Sequence, residues 1–171
     1  MKTLKLLATL AVLAPLSAAA DALPKPIADM ECLVGTWKAT GTVTMGKDKA
    51  KVDATWSCAR TSAENGVLCK LRLTGIPGLA AYEETDLFGY EPGTSTYHWF
   101  SVTNAGETHD HVAKAPASNK IQFVHTGTQE GKPFREVIDM DFAKDAKAMT
   151  LRAETFVAGT STSVFEIKAK K

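Results

Sequence analysis

Hydrophobic and polar residues alternate along this chain in short runs, from residue 35 to the C-terminus. Glycine, proline or asparagine interrupts the alternation about every ten residues, and no run has the period of a long helix. The runs are rich in Val, Thr, Ile, Tyr and Phe, which are the residues favoured in strands. The pattern therefore predicts ten strands, at residues 36–45, 50–59, 67–74, 81–90, 95–103, 107–114, 120–127, 133–142, 149–157 and 161–168.

The predicted strands have one apolar face and one polar face. Trp37, Ala39 and Val43 fall on one face of the first strand, whereas Thr36 and Lys38 fall on the other. A period of two with one polar face is typical of antiparallel sheet with one side in water. Closure into a barrel would bury the apolar face and remove both sheet edges. The sequence therefore predicts an all-β, single antiparallel up-and-down barrel of eight to ten strands, with a two-sheet sandwich as the alternative.

The first twenty residues have the pattern of a signal peptide. Lys2 and Lys5 precede an apolar segment, residues 6–16, that is too short to cross a bilayer. Small residues follow, and cleavage fits after Ala20 or after Ala22. We therefore expect an exported protein, periplasmic or extracellular, that is not inserted in a membrane once the signal has been cleaved.

The remaining chain is long enough for one domain with its own core. Residues 21–34 are expected to form a lead-in with a short helix over 27–33, and residues 35–171 to form the barrel. The sequence indicates no oligomeric state.

The charge balance argues against two classes of partner. The chain has 20 basic and 19 acidic residues, and cleavage before Asp21 would remove Lys2 and Lys5, leaving 18 against 19 and a net charge of −1. A near-neutral chain without a basic stripe is not typical of proteins that bind nucleic acid or anionic lipid.

Three cysteines, Cys32, Cys58 and Cys69, would meet an oxidising environment outside the cell. A hairpin centred near residues 63 and 64 would place Cys58 opposite Cys69, and we expect that pair to form a disulfide. Cys32 bonded to either of the other two is the alternative. An odd number leaves at least one thiol free or paired between chains.

Four histidines fall on three consecutive predicted strands. His109 and His111 are two residues apart and share one face of their strand. A two-residue turn at 104–105 would place His98 opposite His111, and a turn centred on residue 117 would place His109 opposite His125. The sequence then predicts a metal or haem site at His109, His111 and His125, with His98 as a fourth candidate. The alternative is that these histidines lie on a solvated face.

A carboxylate on an apolar face is the other polar candidate. Glu136 shares its face with Phe134 and Ile138, and one of Glu83 and Glu84 is expected to face inward near Asp86. Glu136 at a wet barrel mouth is the alternative. The residues expected to line a ligand cavity are Trp56, Tyr97, Trp99, Phe123, Glu136 and Met140. The same aromatic residues could equally fill a solid core.

The chain also resembles a known family. The Gly-x-Trp sequence at Gly35 and Trp37 resembles that of lipocalins and the wider calycin group, and later motifs are similar to a family of exported bacterial lipocalin-like domains of unassigned function. Those motifs are Trp56-Ser57-Cys58, Leu87-Phe88-Gly89-Tyr90-Glu91-Pro92, Tyr97-His98-Trp99, the turn at Gly106 and Asn119-Lys120-Ile121-Gln122-Phe123. The resemblance implies a calycin-like barrel in which Trp37 lies near the closed end and a basic side chain packs on it. Arg152 is the candidate for that side chain.

The sequence contains none of the nucleophile or phosphate-binding motifs of common enzymes. The leading expectation is therefore a non-catalytic, exported barrel that holds a small, mostly apolar molecule, with the apolar loop 75–80 shaping its entrance. Metal or haem binding through the histidines is one alternative. A filled-core domain that works through its surface is another.

Overall fold

The computed structural model describes residues 25–62, 65–116 and 119–171. The predicted signal peptide, its cleavage site and the first residues of the lead-in lie outside the described residues. In the described part of the chain, no helix has the length and apolar character needed to cross a membrane.

The described residues form a barrel of ten strands preceded by one short helix. The helix α1 spans Lys25–Asp29, and a single 3₁₀ turn at Glu31–Leu33 follows it. The strands are β1 Gly35–Met45, β2 Asp48–Arg60, β3 Val67–Thr74, β4 Tyr82–Glu91, β5 Thr96–Thr103, β6 Thr108–Ala113, β7 Lys120–Gln129, β8 Lys132–Phe142, β9 Ala148–Val157 and β10 Thr160–Lys170. Each strand begins and ends within two residues of its predicted position.

The sheet closes on itself. Every strand pairs antiparallel with its neighbour in sequence, and β10 completes the ring by pairing with β1, for example Thr40 with Lys168. The prediction of a single up-and-down barrel is confirmed with ten strands, and the two-sheet sandwich is excluded by the closure. Closure is favourable because it leaves no edge strand.

The alternation predicted from the sequence determines which side chains face the interior of the barrel. On β1, Trp37, Ala39 and Val43 are buried, whereas Lys38 and Thr40 face outward. Gly41 lies on the same inner face, where a Cβ atom would come within 1.9 Å of the carbonyl oxygen of Glu166 on β10. The absence of a side chain at residue 41 therefore allows β1 and β10 to approach closely.

One end of the barrel is closed by α1 and the 3₁₀ turn. Trp37 is fully buried there and donates its indole N–H to the carbonyl oxygen of Leu33 at 2.8 Å. The backbone at Gly35 has φ of +126°, a conformation that side chains rarely adopt, which explains a glycine two residues before the tryptophan. At this end the hydroxyl of Tyr97 also donates a 3.0 Å hydrogen bond to Asp29 of α1.

The basic side chain on Trp37 is not the predicted one. The Nζ atom of Lys171 lies 4.6 Å from the centre of the indole ring. Arg152 instead lies on the outer surface, where it forms ion pairs with Glu154 at 2.8 Å and Glu166 at 3.5 Å. The prediction of Arg152 was wrong because its position in β9 alternates outward, whereas the chain terminus crosses the closed end.

The β2–β3 hairpin has the predicted register. Cys58 pairs directly with Cys69, and their Sγ atoms are joined by a disulfide. Cys32 is the free cysteine, and burial raises the pKa of its thiol to about 11. A thiol with that pKa stays protonated at neutral pH and is a poor nucleophile.

Candidate functional site

The barrel wall is loosely closed between β6 and β7. Only Val112 pairs with Val124 across this boundary, whereas β7 pairs with β8 along its whole length, from Lys120 opposite Asp141 to Gln129 opposite Lys132. The inner histidines of these two strands therefore lie where the backbone ladder is short.

Three of the four histidines converge on this part of the wall. The ring of His109 stacks on that of His125, with centroids 4.5 Å apart and planes inclined by 14°. The ring of His111 lies 5.6 Å from His109 and 5.5 Å from His125. The predicted grouping of these three side chains is therefore present.

The fourth histidine points away from them. His98 lies on the outer face of β5, where its Nδ1 is 3.0 Å from Asp110 and its Nε2 is 3.1 Å from the hydroxyl of Thr96. After β5, the backbone N–H of Thr103 donates to the carbonyl oxygen of Glu107, which leaves three residues between these paired positions. The expected turn had two residues. The extra residue shifts the register, so that Trp99 rather than His98 pairs with His111. The predicted pairing of His98 with His111 was wrong by one residue, which turns His98 to the opposite face. The predicted pairing of His109 with His125 was wrong by two residues, since Val112 opposite Val124 places His111 across from His125 and leaves His109 on the same face.

Glu136 joins the histidine group from β8. Its Oε2 atom is 2.7 Å from Nε2 of His111 and 3.4 Å from Nδ1 of His109. Its other oxygen accepts a 3.4 Å hydrogen bond from the hydroxyl of Thr155. Glu136 faces inward and is 19% exposed, which resolves the question of its face that the sequence left open.

The histidines decide the charge of this carboxylate. Burial acts to raise the pKa of Glu136, but hydrogen bonds from His109 and His111 outweigh burial and hold the pKa at about 2. The same contact with Glu136 raises the pKa of His109. At neutral pH Glu136 is therefore ionised and bound to imidazole groups.

Two further acidic side chains, Glu84 and Asp86, lie across the barrel from Glu136, on β4. Asp86 is fully buried and accepts hydrogen bonds from the indole N–H groups of Trp56 at 2.8 Å and Trp99 at 2.7 Å. Glu84 precedes it by two residues on the same inner face. Burial and the neighbouring Asp86 raise the pKa of Glu84 to about 9, so that this carboxyl group is neutral at pH 7. Burial likewise raises the pKa of Asp86.

A cavity of about 190 Å³ lies between these two acidic groups. Its walls are mostly apolar, and Glu84 and Glu136 supply polar groups. Ile76, from the loop that was predicted to shape the entrance, lines this cavity. Other lining residues are Trp37, Val43, Trp56, Leu73, Tyr82, Trp99, Ile138, Leu151, Phe165 and Ile167.

A second cavity, of about 200 Å³, lies at the closed end. Tyr97, Phe123 and Met140 line it together with residues of α1 and the 3₁₀ turn. The rings of Phe88, Trp99 and Phe123 pack against one another between the two cavities, with centroids 4.9 to 6.0 Å apart. The six predicted lining residues are therefore all inward, but they belong to two cavities: Trp56, Trp99 and Glu136 line the first, and Tyr97, Phe123 and Met140 line the second.

Tyr82 is a cavity residue that the sequence reasoning missed. It begins β4 and lies on the face of Glu84 and Asp86, and burial raises the pKa of its hydroxyl. The spacing of Tyr82, Glu84, Asp86 and Phe88 at every second residue is a signal that could have identified it.

The outer surface carries an exposed apolar row on β3, β4 and β5. Leu68 pairs with Leu87, and Leu87 pairs with Phe100. These side chains are 41–46% exposed, and Val102 lies two residues beyond Phe100. Among the described residues, four of the five exposed large apolar side chains lie on this face.

Comparison with known proteins supports the fold. No protein-family model matches the chain, and no curated protein matches it. Among solved structures it is similar to one described as "Crystal Structure of Rv2717c from M. tuberculosis". The two share 10% identity with a TM-score of 0.62, over 88% of this chain and 99% of that one. A likeness at this identity shows the shared barrel and nothing about a ligand.

Proposed function

We propose that this protein is an exported, non-catalytic lipocalin-like barrel that binds a compact, mostly apolar molecule bearing a neutral hydroxyl or carbonyl group. The observation that carries the proposal is the cavity of about 190 Å³ with apolar walls and two inner carboxyl groups. Cavities of this composition are typical of small-molecule sites.

The volume limits the size of the ligand. An apolar cavity of about 150 Å³ holds benzene, whereas drug-sized ligands occupy about 300–1,000 Å³. A cavity of about 190 Å³ therefore suits a single substituted ring or a short branched chain. A porphyrin is much larger, so the volume favours the small-molecule hypothesis over haem.

The inner carboxyl groups indicate the polar part of the ligand. Glu84 is neutral at pH 7 because its pKa is about 9, and a neutral carboxyl group both donates and accepts hydrogen bonds. Glu136 already has its charge balanced by His109 and His111. A neutral acceptor such as a hydroxyl or carbonyl oxygen would therefore suit Glu84 better than a second charged group.

Tryptophan fluorescence provides a direct test, because Trp56 and Trp99 line the cavity. Cyclohexanol and cyclohexanone are suitable probes, with cyclohexane as the apolar reference. We expect saturable changes in fluorescence, with the two oxygenated probes binding more tightly than cyclohexane. Native mass spectrometry of the protein made by export would show any ligand that co-purifies.

A matched pair of variants on β2 separates the cavity from the surface. Ala54 lines the cavity, whereas the adjacent Thr55 faces outward. Ala54→Leu should reduce probe binding at least tenfold, and Thr55→Leu should leave it unchanged. Equal binding by both variants, or no saturable binding by any probe, would exclude the cavity as the site.

A further inference from the structure

The ligand atoms of His109, His111 and Glu136 lie within 4.8 Å of one another. The four ligands of a tetrahedral zinc ion, at about 2.0–2.2 Å from the metal, stand about 3.3 Å apart. The contact of Glu136 with His109, at 3.4 Å, already has that spacing, and the contact with His111, at 2.7 Å, would need to open by about 0.6 Å. The geometry points to a site for a divalent transition metal ion, with zinc as the best match, at these three side chains.

The surroundings of His111 support a metal at its Nε2 atom. This side chain is 2% exposed, its Nδ1 lies 3.3 Å from the carbonyl oxygen of Trp99, and its Nε2 lies 2.7 Å from Glu136. A carbonyl oxygen and an ionised carboxylate accept hydrogen bonds but cannot donate them. Each ring nitrogen of His111 must therefore carry a proton or a metal ion. A metal at Nε2 leaves a neutral imidazole that donates from Nδ1 to a backbone carbonyl, which is the usual arrangement of a metal-bound histidine.

The donor set selects among metals. Two imidazole nitrogens and one carboxylate are typical of zinc sites that keep a fourth position open, whereas magnesium and calcium prefer oxygen ligands. Glu136 lines the apolar cavity between β4 and β8, so the open position would face the space in which a small molecule would bind. The metal site does not depend on the proposed apolar ligand.

His125 lies beside this site but outside the group of ligand atoms. Its Nδ1 is 3.0 Å from the carbonyl oxygen of Asp110 and must therefore carry the hydrogen of that bond. Its ring stacks on His109 and helps to fix the orientation of that ligand. We therefore assign His125 a positioning role, in place of the ligand role expected from the sequence.

His109 is the more exposed of the two histidine ligands. The side chain of His109 is 20% exposed, whereas that of His111 is 2% exposed. An ion arriving from solvent would therefore meet His109 before it reaches His111.

Cobalt titration of the untagged, metal-stripped protein tests the assignment, because the absorption of Co²⁺ reports its coordination. We expect one equivalent to bind, with the intense visible bands of a four- or five-coordinate ion, and one equivalent of Zn²⁺ to abolish them. A titration without saturation at one equivalent, or with only the weak bands of six-coordinate cobalt, would overturn the proposal.

Two ligand variants and one control variant test which side chains bind the metal. His109→Gln and Glu136→Gln should each weaken Zn²⁺ binding at least about 100-fold, because each removes a ligand. His98→Gln is the matched control, since His98 lies among Asp110 and Glu91 on the outer face. Loss of Zn²⁺ binding in His98→Gln alone would show that the metal binds at that outer group and would overturn the assignment.

Folding of the variants is checked by circular dichroism and urea unfolding. Since the side chain of His109 is 20% exposed, His109→Gln remains informative if Glu136→Gln does not fold. The metal readout uses no organic probe, so failure of this proposal and failure of the proposed ligand binding are separate results.

Discussion

Glu136 on β8 and His111 on β6 are joined at 2.7 Å although β7 lies between their strands. The contact crosses the inner surface of the barrel beside His125, which pairs with Glu136 on the neighbouring strand. It forms at the one boundary where the backbone ladder is reduced to Val112 and Val124. Side chains thus bridge a part of the wall in which backbone hydrogen bonds are few.

Removal of this bridge is expected to destabilise the barrel. Glu136→Ala leaves Nε2 of the buried His111 without an acceptor, which costs about 1–3 kcal/mol in the free energy of unfolding. Glu136→Gln keeps an acceptor and should cost less. Urea unfolding of the metal-free protein measures both values. Glu83→Ala, which removes an exposed pair with Arg72, is the control and should cost less than about 1 kcal/mol. Equal effects at residues 83 and 136 would show that the inner bridge has no special stabilising role.

Stability should fall as the pH rises from about 4.5 to about 9, through Glu84. Its pKa in the folded protein is about 9 against an ordinary value of 4.5, so in this interval the folded state holds a proton that the unfolded chain has released. The contribution is fully present below pH 4.5 and lost above pH 9, with a slope of at most about 1.4 kcal/mol per pH unit.

The variant Glu84→Gln isolates this effect, because an amide does not titrate. We expect the difference in unfolding free energy between Glu84→Gln and the wild type to grow with pH across that interval. Glu83→Gln, on the outer face one residue away, should give a difference that does not change with pH. A constant difference for Glu84→Gln would contradict the raised pKa.

The disulfide is expected to stabilise the β2–β3 hairpin chiefly by restricting the unfolded chain. Cys58 and Cys69 are 11 residues apart, and for loops of this length a disulfide contributes about 2–4 kcal/mol. The double variant Cys58→Ala with Cys69→Ala should lower the melting temperature in the absence of reductant. Cys32→Ala leaves the disulfide intact, so its melting temperature should still fall on addition of reductant. No response of the wild type to reductant would argue against a stabilising disulfide.

Gly41→Ala is expected to separate β1 from β10. The added Cβ atom would lie 1.9 Å from the carbonyl oxygen of Glu166, and because that oxygen belongs to the backbone the strands must move. We expect a loss of about 1–3 kcal/mol, as is typical of overpacking. Gly89→Ala is the control, since nothing lies within 4 Å of its added Cβ and its φ is not in the left-handed region. Thermal unfolding that is unchanged by Gly41→Ala would contradict the close approach.

The sequence by itself determined the barrel, because local features of the chain specify it. The alternation around Trp37, the turn residues and the spacing of Cys58 and Cys69 each act over a few residues, and the structure follows them within two residues at every strand end. The inward direction of Trp56, Trp99 and Met140 also follows from a period of two.

Only the tertiary structure decided which side chains meet. The pairing of His98 changed with one extra residue in a turn, because one register step moves a side chain to the opposite face, and the pairing of His109 shifted by two residues. The contact of Lys171 with Trp37 and that of Glu136 with His111 join residues that are distant in sequence. The division of the interior into two cavities depends on how Phe88, Trp99 and Phe123 pack together, which no local pattern specifies. Such contacts depend on the closure of the whole ring, because closure sets the distances across the barrel.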